Sequence, residues 1–551
     1  MTAAPAHAVD TVTAIARRRA RARRDEIDPT PWPLALLCAV VGGAAAFAAF
    51  PPYDMWGLLP LSLTLLSAGL LVRSVWLAAL VSLLWGAAFF IPLTEWANIY
   101  AGTVPWIALG IVQALYILLY GLLARTVMVR RGLTISTALV VAALWVGVET
   151  LRSHWPWGGL SWGASAFALA DSPLLSLGPW IGTAGLAFAV ALLGQVVLHG
   201  VLALLGRRHR GLIGFSGVWP LALAVAAVLA TMVVPYPRNA PPEGRHSMTI
   251  MAIQGSATKP EGVTYQMPEG VYENHVDVTQ GALGAAQESG VSADLVVWPE
   301  DSTGWDPRED PQRAREISAL AADAEAPLLV GTQQAVGEDQ RYNHALLYTP
   351  EGETPYVYAK RHPVPFGEYV PARDLFRRIT DKVDLVGRDM LAGDEVGVMD
   401  LQSLEQGEAQ VGILICFEIA YDNLVLDVVD DGAEVIVVQS NTALFGDSHE
   451  AVQQLAQAEV MAVISGRSVV HAATAGPSAI FSPEGRRLAH VDHWDQGAMI
   501  ADVPLRTGIT PAVAAGPWIA IGITAVGVVG WLAALGSTRR AIHPASRKKK
   551  Q

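Results

Sequence analysis

Three side chains with complementary chemistry follow separate apolar segments in the second half of this chain. Glu300 ends the run ADLVVWPE, where burial at a strand end would raise the pKa of the carboxylate and let it act as a base. Cys416 follows the run VGILI and precedes Glu418, and a thiol beside an acid at a strand end is a candidate nucleophile. Lys360 lies in YVYAKRHPVPFGEYVP, whose prolines exclude a regular helix and predict a shaped loop.

Each of these residues also has a purely structural interpretation. A strand-end glutamate is commonly solvated, a lone lysine is commonly a surface group, and a strand cysteine is commonly part of a core. A Cys–His arrangement is a further alternative, because His362, His449 and His471 are available as partners for the thiol. The residues predict nucleophilic catalysis only if the fold brings them together.

The elements that must position these residues have the pattern of an α/β domain. Strand-like apolar segments alternate with helical patterns, which indicates an α/β or layered α+β domain. The predicted strands are 247–255, 293–300, 326–334, 343–350, 411–418, 433–441, 468–476 and 478–485, and the predicted helices include 272–289, 311–324 and 448–464. No glycine-rich phosphate loop joins a strand to a helix, so nucleotide binding has no support.

Composition divides the chain into two unlike parts. Of 551 residues, 52% are hydrophobic and only 16% are charged, which excludes a single soluble domain and a disordered chain. Segment 236–510 carries 42 acidic and 18 basic residues, against 8 and 20 in the remainder, so a nucleic-acid-binding surface is not expected. The only cysteines, Cys38 and Cys416, exclude a disulfide framework and a cysteine-rich metal site.

Apolar segments outside residues 236–510 predict eight membrane spans. They run approximately over 33–50, 56–73, 75–94, 105–127, 134–151, 179–204, 216–235 and 512–535. With a cytoplasmic N-terminus, 19 of the 20 Lys and Arg residues outside segment 236–510 fall on the cytoplasmic side, and only Arg152 does not. The predicted organisation is a basic cytoplasmic N-tail (1–32), seven helices (33–235), an extracytoplasmic domain (236–510), an eighth helix (511–536) and a basic cytoplasmic C-tail (537–551).

A loop rich in tryptophan and glycine, residues 149–168, follows the fifth predicted span. Trp155, Trp157 and Trp162 are typical of an aromatic anchor at the membrane interface. The alternative is that this loop forms the wall of an entrance for a lipid or acyl chain.

Longer motifs add a family resemblance. WPE with Glu300, Y-x-K with Lys360 and ICFE with Cys416 together resemble the Glu–Lys–Cys triad of the nitrilase (carbon–nitrogen hydrolase) superfamily. The segments HPVPFGEYVP (362–371), QSNTALFGDS (439–448), YNHALLYTPEG (342–352) and SGRSVV (465–470) resemble those of apolipoprotein N-acyltransferases. The resemblance covers about residues 33–535 and implies a polytopic α-helical domain of eight spans plus an extracytoplasmic nitrilase-like α-β-β-α sandwich.

The resemblance implies a role for each matching residue. Cys416 would be the nucleophile, Glu300 the general base, and Lys360 the group that stabilises the tetrahedral oxyanion. Other residues match supporting or substrate-facing positions, namely Glu368 and Glu418 beside the active site and Phe417, Asn441 and Phe445 in the acyl-binding region. Phe417, Thr442 and Leu444 differ from the residues common in the family, which leaves the preferred lipid open.

The implied reaction transfers an acyl chain from a membrane phospholipid to a thioester on Cys416 and then to the N-terminal amine of diacylglyceryl-cysteine in a lipoprotein. It needs no cofactor, metal or nucleic acid and implies a multi-pass protein of the bacterial cytoplasmic membrane. Two alternatives are a membrane-tethered amidase or nitrilase acting on a small amide and a non-catalytic membrane protein that binds lipoproteins.

Overall fold

The computed structural model describes residues 29–204, 219–236, 241–242, 244–257, 270–378, 380–404 and 406–536. Almost all of the predicted basic tails, residues 1–28 of the first and 537–551 of the second, lie outside these ranges. The described chain runs through a set of apolar helices, a two-sheet α/β unit and a final pair of apolar helices.

Apolar helices occupy all eight of the intervals predicted to span a membrane. The helices before the sheets are α1 (Trp32–Phe47), α2 (Leu58–Leu70), α3 (Val75–Leu93), α4 (Trp96–Ala101), α5 (Thr103–Arg131), α6 (Ile135–His154), α7 (Gly178–Leu204) and α8 (Trp219–Thr231). Among the described residues, five segments are long and apolar enough to cross a membrane, namely Val75–Leu93, Thr103–Arg131, Ile135–His154, Pro173–Leu202 and Trp518–Leu535.

The first two predicted spans are shorter in the structure than in the sequence prediction. α1 has 16 residues and α2 has 13, where a straight crossing takes about 20. α1 ends ahead of Pro51, and Ser74 caps the start of α3 through a hydrogen bond from the Leu77 N–H, so the chain turns soon after α2. The helices pack closely where glycine permits it, since a Cβ on Gly86 of α3 would lie 2.7 Å from the Ala114 Cα of α5.

Two β-sheets form the soluble part of the chain. The first has the order β13-β1-β2-β3-β4-β5 with β6 beside β4, and the second has the order β12-β11-β10-β9-β8-β7. The strands are β1 (Ser247–Gln254), β2 (Leu295–Val297), β3 (Leu328–Val336), β4 (Gln340–Thr349), β5 (Gly352–Ala359), β6 (Asp389–Met390), β7 (Val398–Asp400), β8 (Gln410–Ile415), β9 (Val435–Ser440), β10 (Ser468–Ala473), β11 (Ser478–Phe481), β12 (Arg487–Val491) and β13 (Gly497–Pro504). The helices of this part and the final apolar pair are α9 (Val271–Ser289), α10 (Pro311–Ala324), α11 (Arg373–Arg377), α12 (Asp422–Asp430), α13 (Glu450–Ser465), α14 (Pro511–Ala515) and α15 (Trp518–Leu535).

Alternation along the strands builds the layers. In β1, Met251 and Ile253 pack with α9 and α10, while Ile250 and Ala252 join the core shared with the second sheet. Helices α12 and α13 pack against the second sheet, α12 on β8 and α13 on β10 and β11. The resulting order of layers is helices, sheet, sheet, helices, which is the predicted α-β-β-α sandwich.

Strand direction brings the candidate residues to one edge. β2 and β3 are parallel, and β5 runs with them because β3, β4 and β5 are successively antiparallel. In the second sheet β8, β9 and β10 are parallel. Glu300 follows β2, Lys360 follows β5 and Cys416 follows β8, so all three lie beyond the carboxyl ends of strands. The sequence prediction missed β5, whose last residues begin the segment predicted to be a loop, and it also missed β6, β7, β12 and β13.

Candidate active site

Glu300 is held at the centre of the site by donors from three directions. Its Oε1 accepts hydrogen bonds from Asn343 Nδ2 at 2.6 Å and from Lys360 Nζ at 3.4 Å. Its Oε2 accepts one from the backbone N–H of Asn441 at 2.8 Å. Because Asn441 follows β9 of the opposite sheet, the carboxylate joins the two halves of the sandwich.

Lys360 is fully buried between two carboxylates. Its Nζ lies 2.6 Å from Glu368 Oε1, in addition to the contact with Glu300. The other oxygen of Glu368 accepts a hydrogen bond from the backbone N–H of Val364 at 2.7 Å, which fixes the proline-rich loop around the ammonium. A buried charge of this kind is stable only when paired, and here two acids supply the pairing.

Cys416 stands at a sharp turn directly after β8. Its backbone has φ +57°, the left-handed conformation that a residue with a side chain rarely adopts, and a short 3-10 turn, Cys416–Ala420, follows. The conformation costs of the order of 1–3 kcal/mol, which the surrounding packing must offset. At this turn the thiol lies close enough to Glu300 and Lys360 for both charges to act on it.

Glu418 joins the strand of the nucleophile to the loop of the lysine. Its Oε1 accepts hydrogen bonds from the backbone N–H groups of Arg361 and His362, and its Oε2 accepts from Ile415 N–H and the Tyr358 hydroxyl, all at 2.7 to 3.0 Å. The carboxylate is therefore satisfied without exposure to solvent. Glu418 therefore positions Cys416 and Lys360 indirectly, through the residues on either side of them in the chain.

The partner of the thiol comes from α13. Gln454 Nε2 lies 3.5 Å from Cys416 Sγ, and its Oε1 accepts hydrogen bonds from Ser440 Oγ and faces His471 Nε2 at 3.1 Å. The Cys–His alternative predicts a direct contact. Of the three candidate histidines, His471 reaches the thiol only through Gln454, while His362 packs on Tyr421 and His449 on Phe47.

Aromatic side chains from α4 and from the loop between α6 and α7 cover the turn that follows the nucleophile. The Phe417 ring stacks on Trp162, with centroids 4.6 Å apart, and meets Trp96 edge-on at 5.6 Å. Trp96 also contacts Phe445 at 5.7 Å. Trp162 is buried against the turn, whereas Trp155 is largely exposed and fits the interfacial-anchor interpretation. Trp157 is half-exposed, and its ring packs on Phe366 and Phe376 of the soluble part.

The protonation states follow from burial and charge. Burial raises the pKa of Glu300 to about 7, against the opposing effect of the Lys360 ammonium. Burial and the Glu300 carboxylate raise the pKa of the Cys416 thiol well above its usual value. Burial opposes the charge of Lys360, but the Glu368 and Glu300 carboxylates outweigh it and raise the pKa of the ammonium. The resting site holds a thiol, a charged lysine and a base with a pKa near neutrality.

Sequence reasoning missed several of these residues. Asn343 was considered only as part of a predicted strand, and Tyr358 only as the first residue of the Y-x-K motif that contains Lys360. Gln454 belongs to a helix with no motif of its own, and only the packing of α13 brings it to the site. Within the described ranges, no group of His, Cys, Asp and Glu side chains is placed to hold a metal ion.

A strand-end cysteine, a buried base and a buried lysine on an α-β-β-α sandwich define a cysteine acyl-transfer enzyme of the carbon–nitrogen hydrolase type. The carbon-nitrogen hydrolase family profile matches residues 251–510, and that of the apolipoprotein N-acyltransferase N-terminal domain matches residues 42–196. The chain belongs to the apolipoprotein N-acyltransferase family and is a membrane acyltransferase.

Curated relatives match nearly the whole chain. The apolipoprotein N-acyltransferase of Mycolicibacterium smegmatis is 30% identical over 538 residues, covering 95% of this chain and 88% of the relative. That of Methylococcus capsulatus is 29% identical, covering 90% and 95%. Among solved structures, a nitrilase-superfamily amidase of Nesterenkonia AN1 aligns with 48% of this chain and 93% of its own, at 19% identity and a TM-score of 0.35.

Proposed function

We propose that this protein transfers an acyl chain from a membrane phospholipid, through a thioester on Cys416, to the N-terminal amine of diacylglyceryl-cysteine in lipoproteins. The observation that carries the proposal is the placement of the site: the turn after Cys416 packs directly on Trp162, in the loop between two apolar helices. Lipid-anchored donor and acceptor groups can reach a nucleophile in that position.

In the first half-reaction the Cys416 sulfur attacks the ester carbonyl of the phospholipid. Glu300 takes the thiol proton as the carbon–sulfur bond forms, because its pKa of about 7 suits it to accept and return a proton. The Lys360 ammonium, fixed by Glu368, stabilises the negative oxygen of the tetrahedral intermediate. When the carbon–oxygen bond breaks, Glu300 returns the proton to the lysophospholipid oxygen, and a thioester remains.

In the second half-reaction the amine of the lipoprotein attacks the thioester carbonyl. Lys360 again faces the developing oxyanion, and Glu300 carries a proton from nitrogen to the departing sulfur. The carbon–sulfur bond breaks and an amide forms, which restores the thiol. Trp96 contacts both Phe445 and Phe417, the residue after the nucleophile, and this apolar cluster suits an acyl chain and limits access of water to the thioester. We assign Phe417 and Phe445 to the acyl-binding region on this basis.

The proposal includes a topology. The eight apolar helices act as spans, both termini are cytoplasmic, and the catalytic domain 236–510 lies on the outer face of a bacterial cytoplasmic membrane. The distribution of Lys and Arg supports this arrangement, because it places 19 of the 20 Lys and Arg residues outside segment 236–510 on the cytoplasmic side. Phospholipid and diacylated lipoprotein are then both presented to the site from the same membrane surface.

The test uses the full-length protein in phospholipid vesicles with a synthetic diacylglyceryl-cysteine peptide. The proposal predicts equal amounts of N-acylated peptide and lysophospholipid, and the loss of both in Cys416→Ser. Cys38→Ser is the matched control, because Cys38 is the other buried cysteine and lies in α1. Free fatty acid without N-acylated peptide would indicate a hydrolase, and undiminished N-acylation in C416S would indicate that the thiol is not the nucleophile.

A further inference from the structure

One buried acid beside the site has no partner. Glu450, the first residue of α13, is completely buried, and neither of its carboxylate oxygens has a hydrogen-bond partner in the described structure. Buried carboxyl groups are normally hydrogen-bonded or ion-paired, because leaving one unsatisfied is costly. Glu450 therefore has two free acceptor oxygens that a ligand could bind.

The position of Glu450 directs it toward the thiol. Gln454, whose amide lies 3.5 Å from Cys416 Sγ, is four residues further along α13, so the two side chains share one face of the helix. The electrostatic effects agree with this geometry, because the Glu450 charge acts to raise the pKa of Cys416. Burial and the Glu300 carboxylate raise the pKa of Glu450 itself to about 8.

The proton balance of the two half-reactions requires one further proton acceptor. In the first half-reaction the proton that leaves the thiol ends on the lysophospholipid oxygen, so no proton remains. In the second, the acceptor arrives as an ammonium and leaves as an amide, so its nitrogen loses two protons. One of them returns to the Cys416 sulfur through Glu300. The other needs an acceptor inside a site that excludes water.

We propose that Glu450 binds the ammonium group of the acceptor and takes this second proton. Near neutral pH the Glu450 carboxyl is largely neutral, and it gives its proton to solvent as the ammonium binds. The carboxylate then pairs with R–NH3+, accepts one proton to leave R–NH2, and the neutral amine attacks the thioester while Glu300 carries the remaining proton to sulfur. Glu450 is neutral again at the end of the cycle, so the net proton released by the acceptor goes to solvent. This inference rests on the proposed lipoprotein N-acylation and names the residue that selects a cationic amine over water.

The acid–base properties of the two groups match. An α-amine has a pKa of about 7.7–8.0, close to the value of about 8 for the Glu450 carboxyl, so a proton moves between them at little cost. Two other charged groups at this edge are already engaged. Lys360 is paired with Glu368 and Glu300, and Glu418 accepts four hydrogen bonds.

The test separates the two half-reactions and two kinds of acceptor. The full-length Glu450→Gln protein is first acylated in phospholipid vesicles, and the thioester is then discharged near neutral pH. One acceptor is a diacylglyceryl-cysteine peptide, whose amine is largely protonated, and the other is hydroxylamine, which is already neutral. Glu459→Gln is the matched control, because Glu459 lies on the same helix, where its charged neighbours are Asp171, Arg487 and Asp54.

The expected result is selective. Transfer from E450Q to the peptide slows by about 100-fold, at the lower end of general acid–base effects, while thioester formation and discharge to hydroxylamine stay within about threefold of the wild type. E459Q matches the wild type in all three measurements. Formation of the thioester also shows that E450Q is folded. Glu450→Asp, which keeps an acid, recovers part of the peptide transfer.

Three results would overturn the inference: unimpaired peptide transfer in E450Q, equal slowing with both acceptors, or loss of thioester formation in E450Q. A wild-type protein that forms no thioester with phospholipid would instead contradict the proposed function itself, so the two failures are distinguishable.

Discussion

The ring of Phe417 stacks on the ring of Trp162 with centroids 4.6 Å apart and an angle of 25° between their planes. Phe417 follows the nucleophile directly, and Trp162 belongs to the loop between α6 and α7. The same tryptophan donates a hydrogen bond from Nε1 to Gln453 Oε1 on α13 at 2.7 Å. The catalytic turn and the apolar helices are therefore one packed unit, and a disturbance at Trp162 should reach the thiol.

We expect Trp162→Ala to reduce both stability and acylation. Truncating a buried tryptophan commonly costs about 3–5 kcal/mol, and here it also leaves Phe417 without its stacking partner. The measurements are the thermal midpoint of the protein in detergent and the rate of thioester formation with phospholipid. Trp155→Ala, on an exposed side chain of the same loop, serves as the control and should change neither. Equal behaviour of the two variants would argue against this role of Trp162.

The pKa of Glu300 sets the acid limb of the pH–rate profile for thioester formation. Glu300 must lose its proton to accept one from the thiol, and its pKa is about 7, so the rate of thioester formation should rise with pH through about 7. Asn343→Ala removes a donor that favours the charged form of Glu300, which should raise the pKa of Glu300 and move the limb upward by about 1–2 pH units. Pre-steady-state acylation rates over a pH series measure the shift. A limb that moves downward would contradict the assignment of Glu300 as the base.

Replacement of the buried lysine should remove most of the activity. Lys360→Met keeps the length of the side chain but removes the charge facing the oxyanion, and loss of such stabilisation commonly lowers rates by about 100- to 1000-fold. The variant also leaves Glu300 and Glu368 buried together without a cation. Single-turnover acylation gives the rate. As a control, Lys382→Met removes an exposed charge from the short 3-10 turn Asp381–Leu385. Acylation by K360M at the wild-type rate would contradict the role of Lys360.

Glu418 offers a test of positioning without contact with the substrate. Glu418→Gln replaces an acceptor with an amide that can satisfy fewer of the four donors around it, and each buried donor left unpaired costs about 1–3 kcal/mol. We expect a lower thermal midpoint and slower acylation with an unchanged position of the acid limb, because Glu300 keeps its own donors. Glu434→Gln, at a carboxylate near the start of β8, is the control. A shifted limb would show that Glu418 acts on the base directly.

The sequence predicted the reacting residues of the site but not all of the residues around them. Glu300, Lys360 and Cys416 could be predicted because each ends an apolar strand or follows a recognisable motif, and parallel strands bring such ends to one edge. Glu450 and Gln454 could not, because their relation to the thiol depends on how α13 packs across the second sheet. The lengths of α1 and α2 also escaped prediction, since hydropathy continues past the residues where the chain turns.

The most direct test of the account is the mass of the full-length protein after incubation with phospholipid alone. Without an acceptor amine the thioester on Cys416 should persist, so the account predicts an increase equal to one acyl chain, localised to the peptide that contains Cys416 and released by hydroxylamine. Cys416→Ser should carry no hydroxylamine-labile adduct. An unmodified wild-type protein, or an adduct on another residue, would contradict the central claim.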